Sequence, residues 1–287
     1  MHLIDDVDRF GGLVRRRTLV ELGHSPRAVQ AAVASGRLRS VARSWVASEG
    51  AADAAIRAVR ARGVLGGASA LRSLGVWVSE LEHGATIAVP HSASRLPALA
   101  PGDRRVFCRR LQVDPSAPWR ASLGDALAQY LPHAPDDDAV ATLDSVLNRR
   151  LLTRRELREI VAGLPRRVRR LWRLVDGRAA SGIETKLRLA LERAGLRVEV
   201  QVRIDGVGRV DLVVDGWLVV EADGAEFHDS PGRARADRHR NAALVRRGYR
   251  WHRFGYEQVM HDLDGCVAVV LELLRRPNAA RAQWVSA

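Results

Sequence analysis

The stretch Arg209–Asp223 (RVDLVVDGWLVVEAD) constrains this chain most, because three of its four carboxylates lie within the strands of what reads as a β-hairpin. Val210, Leu212, Val214, Leu218, Val220 and Ala222 are apolar and even-numbered, whereas Arg209, Asp211, Glu221 and Asp223 are odd. Alternation with period two gives each strand one apolar face. Those faces coincide only if paired residue numbers have an even sum, which requires an odd-length loop such as Val214-Asp215-Gly216, with Gly216 supplying positive φ. Asp211, Glu221 and Asp223 are then expected together on the face opposite the core. Their mutual repulsion there calls for a divalent cation or a basic neighbour.

The 287 residues suit about two domains, and 47% hydrophobic content supports packed cores rather than disorder. A formal charge of +13 favours a polyanionic partner. No apolar run approaches a membrane span, so nucleic acid fits that charge better than a membrane does. Lys186 is the sole lysine, however, and so strong a bias toward arginine also fits a GC-rich genome; charge supports nucleic-acid binding without deciding it. The segment Met1–Asp6 has neither the basic region nor the apolar core of a secretory signal, and the expected location is cytoplasmic. Cys108 and Cys266 are far apart and lack Cys-x-x-Cys spacing, so both are expected to be buried thiols.

Residues 12 to 47 predict a helix near Val14–Leu22, a Gly23-His24 turn, and a second helix with Ser25 as N-cap and Pro26 as first residue. Gly36 is placed to end that helix, and Leu38, Val41, Trp45 and Val46 suggest two short strands around Ala42-Arg43-Ser44. The pattern is that of a winged helix-turn-helix. Through Ser25-Pro26-Arg27-Ala28-Val29-Gln30 and Gly36-Arg37-Leu38-Arg39 it resembles the N-terminal domain of AbiEi-type antitoxins and related regulators. The resemblance implies that Arg27 and Gln30 face a DNA major groove while Arg37, Arg39 and Arg43 meet phosphates. A small packing domain with solvated arginines is the alternative.

From residue 51 to 176 a mixed, mostly helical region is expected. Its helices lie near Ala52–Arg62, Ala68–Leu74, Leu123–Leu131, Ala139–Asn148 and Arg154–Ala162, with short strands at Thr86–Val89 and Arg105–Cys108. Thr153 and Glu156 form a capping-box pattern, and Asp136-Asp137-Asp138 reads as a helix start rather than a metal site. The basic run Arg166–Arg173 is either a solvated helix face or a phosphate-tracking one.

Residues 177 to 287 predict a helix from Ser181 to Arg193, a strand near Val198–Ile204, the hairpin, a helix from Ser230 to Arg247, a strand at Tyr249–Phe254 and a last helix from Leu263 to Leu274. This αβββαβ order, with acids on the second and third strands, resembles the core of the PD-(D/E)XK restriction-endonuclease-like superfamily. More narrowly, Gly208-Arg209-Val210-Asp211, Val220-Glu221-Ala222-Asp223-Gly224, His228, Asp237-Arg238-His239-Arg240, Leu244, Gly248-Tyr249 and Arg253-Phe254 resemble bacterial proteins related to very short patch repair endonucleases. The whole chain is thus expected to be α/β: a winged helix at 1–50, the mixed region at 51–176 and the nuclease-like core at 177–287.

The resemblance implies metal-dependent cleavage of a phosphodiester, with Asp211 and Glu221 as ligands of Mg²⁺ or Mn²⁺ and Asp223 as a third. Glu184 is either a helix cap or an acid near the metal, and Asp237, Arg240 and Arg253 are candidates for holding phosphate or metal-bound water. The pattern is broken at one place. The superfamily's lysine, two residues after the glutamate, is Asp223 here, and Lys186 stands about 200° from Glu184 around its helix. His228 is the natural substitute for managing the attacking water. Duplex DNA is the expected partner, with a homodimer and a toxin or defence-system protein left open. A DNA-binding regulator whose nuclease-like domain no longer cuts is the competing reading.

Overall fold

The chain, described by a computed structural model over residues 2–79, 84–224 and 231–275 (backbone alone for 231–238), is a mixed α/β protein. Contacts divide it into two units, Met1–Ala134 and Pro135–Ala287.

The first unit begins with α1 (Leu3–Arg9), β1 (Leu13–Arg15), α2 (Arg16–Glu21), α3 (Pro26–Ala34), β2 (Arg39–Ala42) and β3 (Trp45–Ala47). Ser25 Oγ accepts the Ala28 N–H (3.1 Å), satisfying one of the amides that a helix start leaves unpaired. Val29 and Ala32 turn one side of α3 into a core with Val7, Val14, Leu19, Leu38 and Val46. The helix expected from Val14 begins only at Arg16, because Leu13–Arg15 pairs with β3 in the antiparallel sheet β1-β3-β2. Local apolar spacing carries no sign of a strand partner thirty residues away.

The first unit continues with α4 (Asp53–Arg60), β4 (Val64–Leu65), α5 (Gly67–Ser73), β5 (Thr86–Pro90), β6 (Arg104–Cys108), β7 (Val113–Asp114), β8 (Ala117–Ala121) and α6 (Leu123–Tyr130). The mostly helical region expected here in fact holds a five-stranded sheet, β6-β5-β4-β8-β7. Two-residue strands such as β4 and β7 are too short to show a period, so their pairing is set by neighbours. The sheet also joins the N-terminal elements. Trp119 Nε1 on β8 donates to the Phe10 carbonyl (2.6 Å), and a Cβ at Gly11 (φ +72°) would lie 2.8 Å from the Trp119 ring.

The second unit contains α7 (Asp136–Asn148), α8 (Arg154–Ala162), α9 (Arg166–Leu171) with a 3₁₀ turn at Trp172–Leu174, and α10 (Gly182–Arg193). There follow β9 (Val198–Ile204), β10 (Gly208–Val214), β11 (Leu218–Asp223), α11 (Pro231–Arg246), β12 (Arg250–Gly255), α12 (Tyr256–His261) and α13 (Leu263–Arg275). The Thr153/Glu156 capping box is present on α8. Each aspartate of the 136–138 run meets a different cation: Asp136 meets Arg167 (2.6 Å), Asp137 meets Arg193 (2.6 Å), and Asp138 meets Lys186 (2.5 Å). Deeper in, Asp144 pairs with Arg188 (3.2 Å). The boundary expected at 176 therefore runs through a network that fastens α7 to α10.

The sheet order is β12-β11-β10-β9, with β11 and β12 parallel and the other neighbours antiparallel. Ile183, Leu187 and Leu191, four residues apart on α10, pack with Val200, Leu212, Val214, Leu218, Val220 and Phe254 on one face. The other face is buried too: Val210, Val213 and Val219 form a second cluster with Leu244 of α11. This corrects the expectation of a single apolar face opposite an acidic one. A sheet covered on both sides reads as continuous apolar runs, as in Leu212-Val213-Val214 and Leu218-Val219-Val220.

Candidate active site

The hairpin register has the expected parity: Leu212 pairs with Val220, Val213 with Val219 and Val214 with Leu218. Its loop is Asp215-Gly216-Trp217, one residue beyond the expected position, with Asp215 (φ +49°) and Gly216 (φ +79°) both left-handed. Continued outward by one step, this register sets Asp211 against Glu221, but the ladder stops there. The Asp211 carboxylate instead accepts the Ala222 N–H (3.1 Å), replacing a strand partner.

The cause lies one strand further out. Gln201 on β9 has φ +53°, and regular pairing between β9 and β10 skips the Gln201/Asp211 step. Val200 and Leu212 pack in the α10-side cluster, whereas Val202 and Val210 belong to the α11-side one. Alternation thus changes sides at Asp211. At this break Gln201 Nε2 donates both to Asp211 (3.2 Å) and to Glu184 (2.8 Å) at the start of α10.

Glu184 has two sets of partners. It accepts from the Ala180 N–H (2.9 Å) and from Ser181 Oγ (3.0 Å), the Ser181 oxygen in turn accepting the Glu184 N–H (3.3 Å). The cap is therefore real, with the carboxylate reaching back to the Ala180 N–H. Its second side, through Gln201, faces Asp211. Glu184 is only 4% exposed and Glu221 5%. Burial raises the Glu184 pKa, and burial together with the Glu184 and Glu221 charges pushes Asp211 up to about 7.

Glu221 is held by arginines: Arg240 Nη1 on α11 lies 2.5 Å from one carboxylate oxygen and Arg253 Nη2 on β12 lies 2.8 Å from the other. Arg253 faces Glu221 directly in the parallel register, and its Nε lies 3.4 Å from Asp223. Arg240 also donates to the Arg209 carbonyl. Of the two alternating sets on β12, Tyr249 and Trp251 pack in the α11-side cluster, and Arg253 continues that set. His252 packs edge-on against Phe254 (centroids 4.5 Å apart), where burial lowers its pKa.

The structure thus forms two adjoining groups, Glu184 and Asp211 linked by Gln201, and Glu221 and Asp223 held by Arg240 and Arg253, with the Glu221 charge felt at Asp211. Sequence reasoning passed over Gln201, since a glutamine within a strand carries no signal of left-handed backbone. Lys186 turns away into Asp138, as its helical phase required. His228 lies outside the described residues, as does the side chain of Asp237, whose backbone belongs to α11. Among the described residues no group of three or more His, Cys, Asp or Glu side chains is arranged so that it could hold a metal ion. In the first unit Arg27 and Gln30 are exposed on α3, and Arg39 and Arg43 are exposed on the β2–β3 hairpin.

Residues 184–274 match the restriction endonuclease-like family REase_MTES_1575. The match covers α10 to α13 and supports a restriction-endonuclease-like C-terminal domain. The crystal structure of the RV2827C protein from Mycobacterium tuberculosis is 18% identical over 59% of this chain and 76% of that one, at a TM-score of 0.30, a likeness too loose to carry a fold or a function. No curated protein matches the chain. No helix among the described residues is long and apolar enough to cross a membrane.

The raised Asp211 pKa makes a stability prediction for the nuclease-like domain. Between about pH 4 and 7 the folded state keeps a proton that the unfolded chain has released, so stability falls as pH rises through this window. The full penalty is present above pH 7. Asp211→Asn is accordingly expected to stabilise the metal-free protein at pH 8, by on the order of 1–4 kcal/mol, and to change little at pH 4. Urea melts in EDTA at the two pH values check this; equal shifts at both would remove Asp211 from the acid cluster.

Proposed function

We propose that the C-terminal domain is a divalent-metal-dependent DNA endonuclease with a PD-(D/E)XK-type αβββαβ core. The observation that carries the reading is the convergence of buried Glu184 and half-buried Asp211 through Gln201, beside Glu221, where β9, β10 and β11 depart from regular pairing. In kind, the donors fit a hard cation: carboxylate oxygens suit Mg²⁺ or Mn²⁺, and burial first, then the Glu184 and Glu221 charges, raise the Asp211 pKa, a cost that such an ion would offset. Asp211 and Glu184 would hold it, with Glu221 joining by exchanging its arginine contacts and Asp223 at the rim. A bound cation supplies a water acidified toward neutrality and charge stabilisation at the phosphate. Arg240 and Arg253 would bind the scissile phosphate if Glu221 exchanged them for the cation. His228 is the candidate to accept a proton from water in place of the missing lysine.

In the first unit, α2, α3 and the β2–β3 hairpin are read as a winged helix that targets duplex DNA, with Arg27 and Gln30 toward base edges and Arg39 and Arg43 toward phosphates. Arg27→Ala combined with Gln30→Ala is expected to weaken duplex binding by at least about 30-fold, at one to three kcal/mol per good base contact, with the melting curve unchanged. Fluorescence anisotropy across a salt series checks it. Unchanged affinity together with a flat salt response would assign α3 to packing.

A second reading has a specific observation in its favour: Asp223 stands where the lysine is expected, and Lys186 is tied to Asp138. On that reading the protein is a DNA-binding regulator or antitoxin-like protein with a non-cutting domain. Incubating plasmid and single-stranded DNA with the full chain and Mg²⁺ or Mn²⁺ separates the two. Cleavage supports the nuclease, and inactivity on every nucleic acid tried, with duplex binding retained, supports the regulator.

A further inference from the structure

A recess of about 670 Å³ opens in the first unit beside the β2–β3 turn, within the size range of small-ligand sites. Four arginines line it: Arg15 at the end of β1, Arg43 in the hairpin turn, Arg60 in the last turn of α4, and Arg62 just beyond. All four are exposed. No acidic side chain lines the recess, and Asp114, next in sequence to the lining Val113, is bonded to Arg120 (2.5 Å). Between the arginines the surface is apolar, formed by residues such as Val64, Pro90, Leu111 and Val113. Val113 is 45% exposed, one of few large apolar side chains so open among the described residues. The Arg15 guanidinium sits 4.9 Å from the centroid of the buried Trp45 ring, which fixes a planar cation at the edge of this floor.

From this arrangement we propose that the recess binds a nucleotide of a single-stranded nucleic acid, its phosphates among Arg15, Arg43, Arg60 and Arg62 and its base over the apolar floor. The inference rests on the nucleic-acid reading of the first unit. Guanidinium groups bind phosphate oxygens in paired contacts, and a base stacks on an apolar or guanidinium face whatever its identity. A strand fits better than a free nucleotide for two reasons. Among the described lining residues Ser44 supplies the side-chain hydrogen-bond acceptor, the arginines and Trp45 being donors alone, so the side chains offer little that would select a particular base. Arg43 also belongs to the hairpin turn, which makes the recess continuous with the proposed duplex-binding surface.

The test measures anisotropy of a labelled oligothymidylate of about 12 nucleotides, a length within the usual range of such sites, on the full-length protein. Arg15→Ala combined with Arg60→Ala is expected to lower strand affinity about tenfold and to reduce the slope of log affinity against log salt by roughly 1.4, for two lost phosphate contacts. Val113→Glu, at an exposed position that leaves the arginines in place, is expected to weaken the strand as well. Arg60→Lys, which keeps the charge, should recover part of the affinity, and melting curves confirm that each variant folds. Unchanged strand affinity and slope in the double variant would overturn the recess while leaving duplex binding by α3 intact. Strand binding lost there, with duplex binding indifferent to the Arg27/Gln30 changes, would support the recess and sink the winged-helix reading. Thymidine triphosphate binding that the strand fails to displace would overturn the proposal in favour of a free nucleotide.

Discussion

On the proposed nuclease reading, Asp211→Ala and Glu221→Ala are each expected to reduce metal-dependent DNA cleavage by on the order of 10³-fold or more. Charge stabilisation by a bound cation amounts to several kcal/mol, and each 1.36 kcal/mol is a factor of ten in rate. Asp211 carries the stricter test because the acid cluster meets at it: Gln201, the Ala222 amide and the charges of Glu184 and Glu221 all act on its carboxyl. The measurement is the initial rate of plasmid nicking and linearisation at saturating Mg²⁺ or Mn²⁺. Asp211→Asn, expected to be at least as stable as the parent at pH 8, separates lost chemistry from lost fold. Parental rates in the alanine variants would sink the assignment of this cluster as the catalytic centre.

The largest stability effect is expected at Asp144. Its side chain is 1% exposed and that of Arg188 4% exposed. Asp144 accepts hydrogen bonds from Thr185 Oγ1 (2.9 Å), from the Asp176 N–H (2.8 Å) and from the Gly177 N–H (3.1 Å). Burial is the largest influence on its pKa and raises it, with the Arg188 charge opposing. Asp144→Ala leaves the buried Arg188 without its closest buried counter-charge, with Glu192, the Leu174 carbonyl and the Asp176 charge remaining, and breaking such a pair typically costs about 3–5 kcal/mol. Chemical denaturation at pH 7 checks it. A loss below about 1 kcal/mol would show that water reaches Arg188 and that α7 is not locked to α10 through this pair.

Much of the local structure was legible because its causes are local. Ser25 and Pro26 start α3, Thr153 and Glu156 cap α8, and the even-sum register of β10 and β11 follows from which residues are apolar. The helical phase of Lys186 likewise excluded it from the vicinity of Glu184 before any contact was known. Other features depend on distant partners. The strand β1 exists because β3 pairs with it, and the five-stranded sheet of the first unit assembles strands as short as two residues.

The candidate site divides in the same way. Sequence alone determined that Asp211, Glu221 and Asp223 occur on adjoining strands, that Glu184 begins a helix and that the usual lysine is absent, since residue identity, period and capping chemistry act over a few residues. Only the tertiary structure decided that α11 covers the second face of the sheet, that Gln201 breaks the β9–β10 ladder and bridges Glu184 to Asp211, and that Arg240 and Arg253 hold Glu221. Those outcomes arise from burial and charge between elements far apart in the chain, where a carboxylate's partner is set by packing and desolvation rather than by its sequence neighbours.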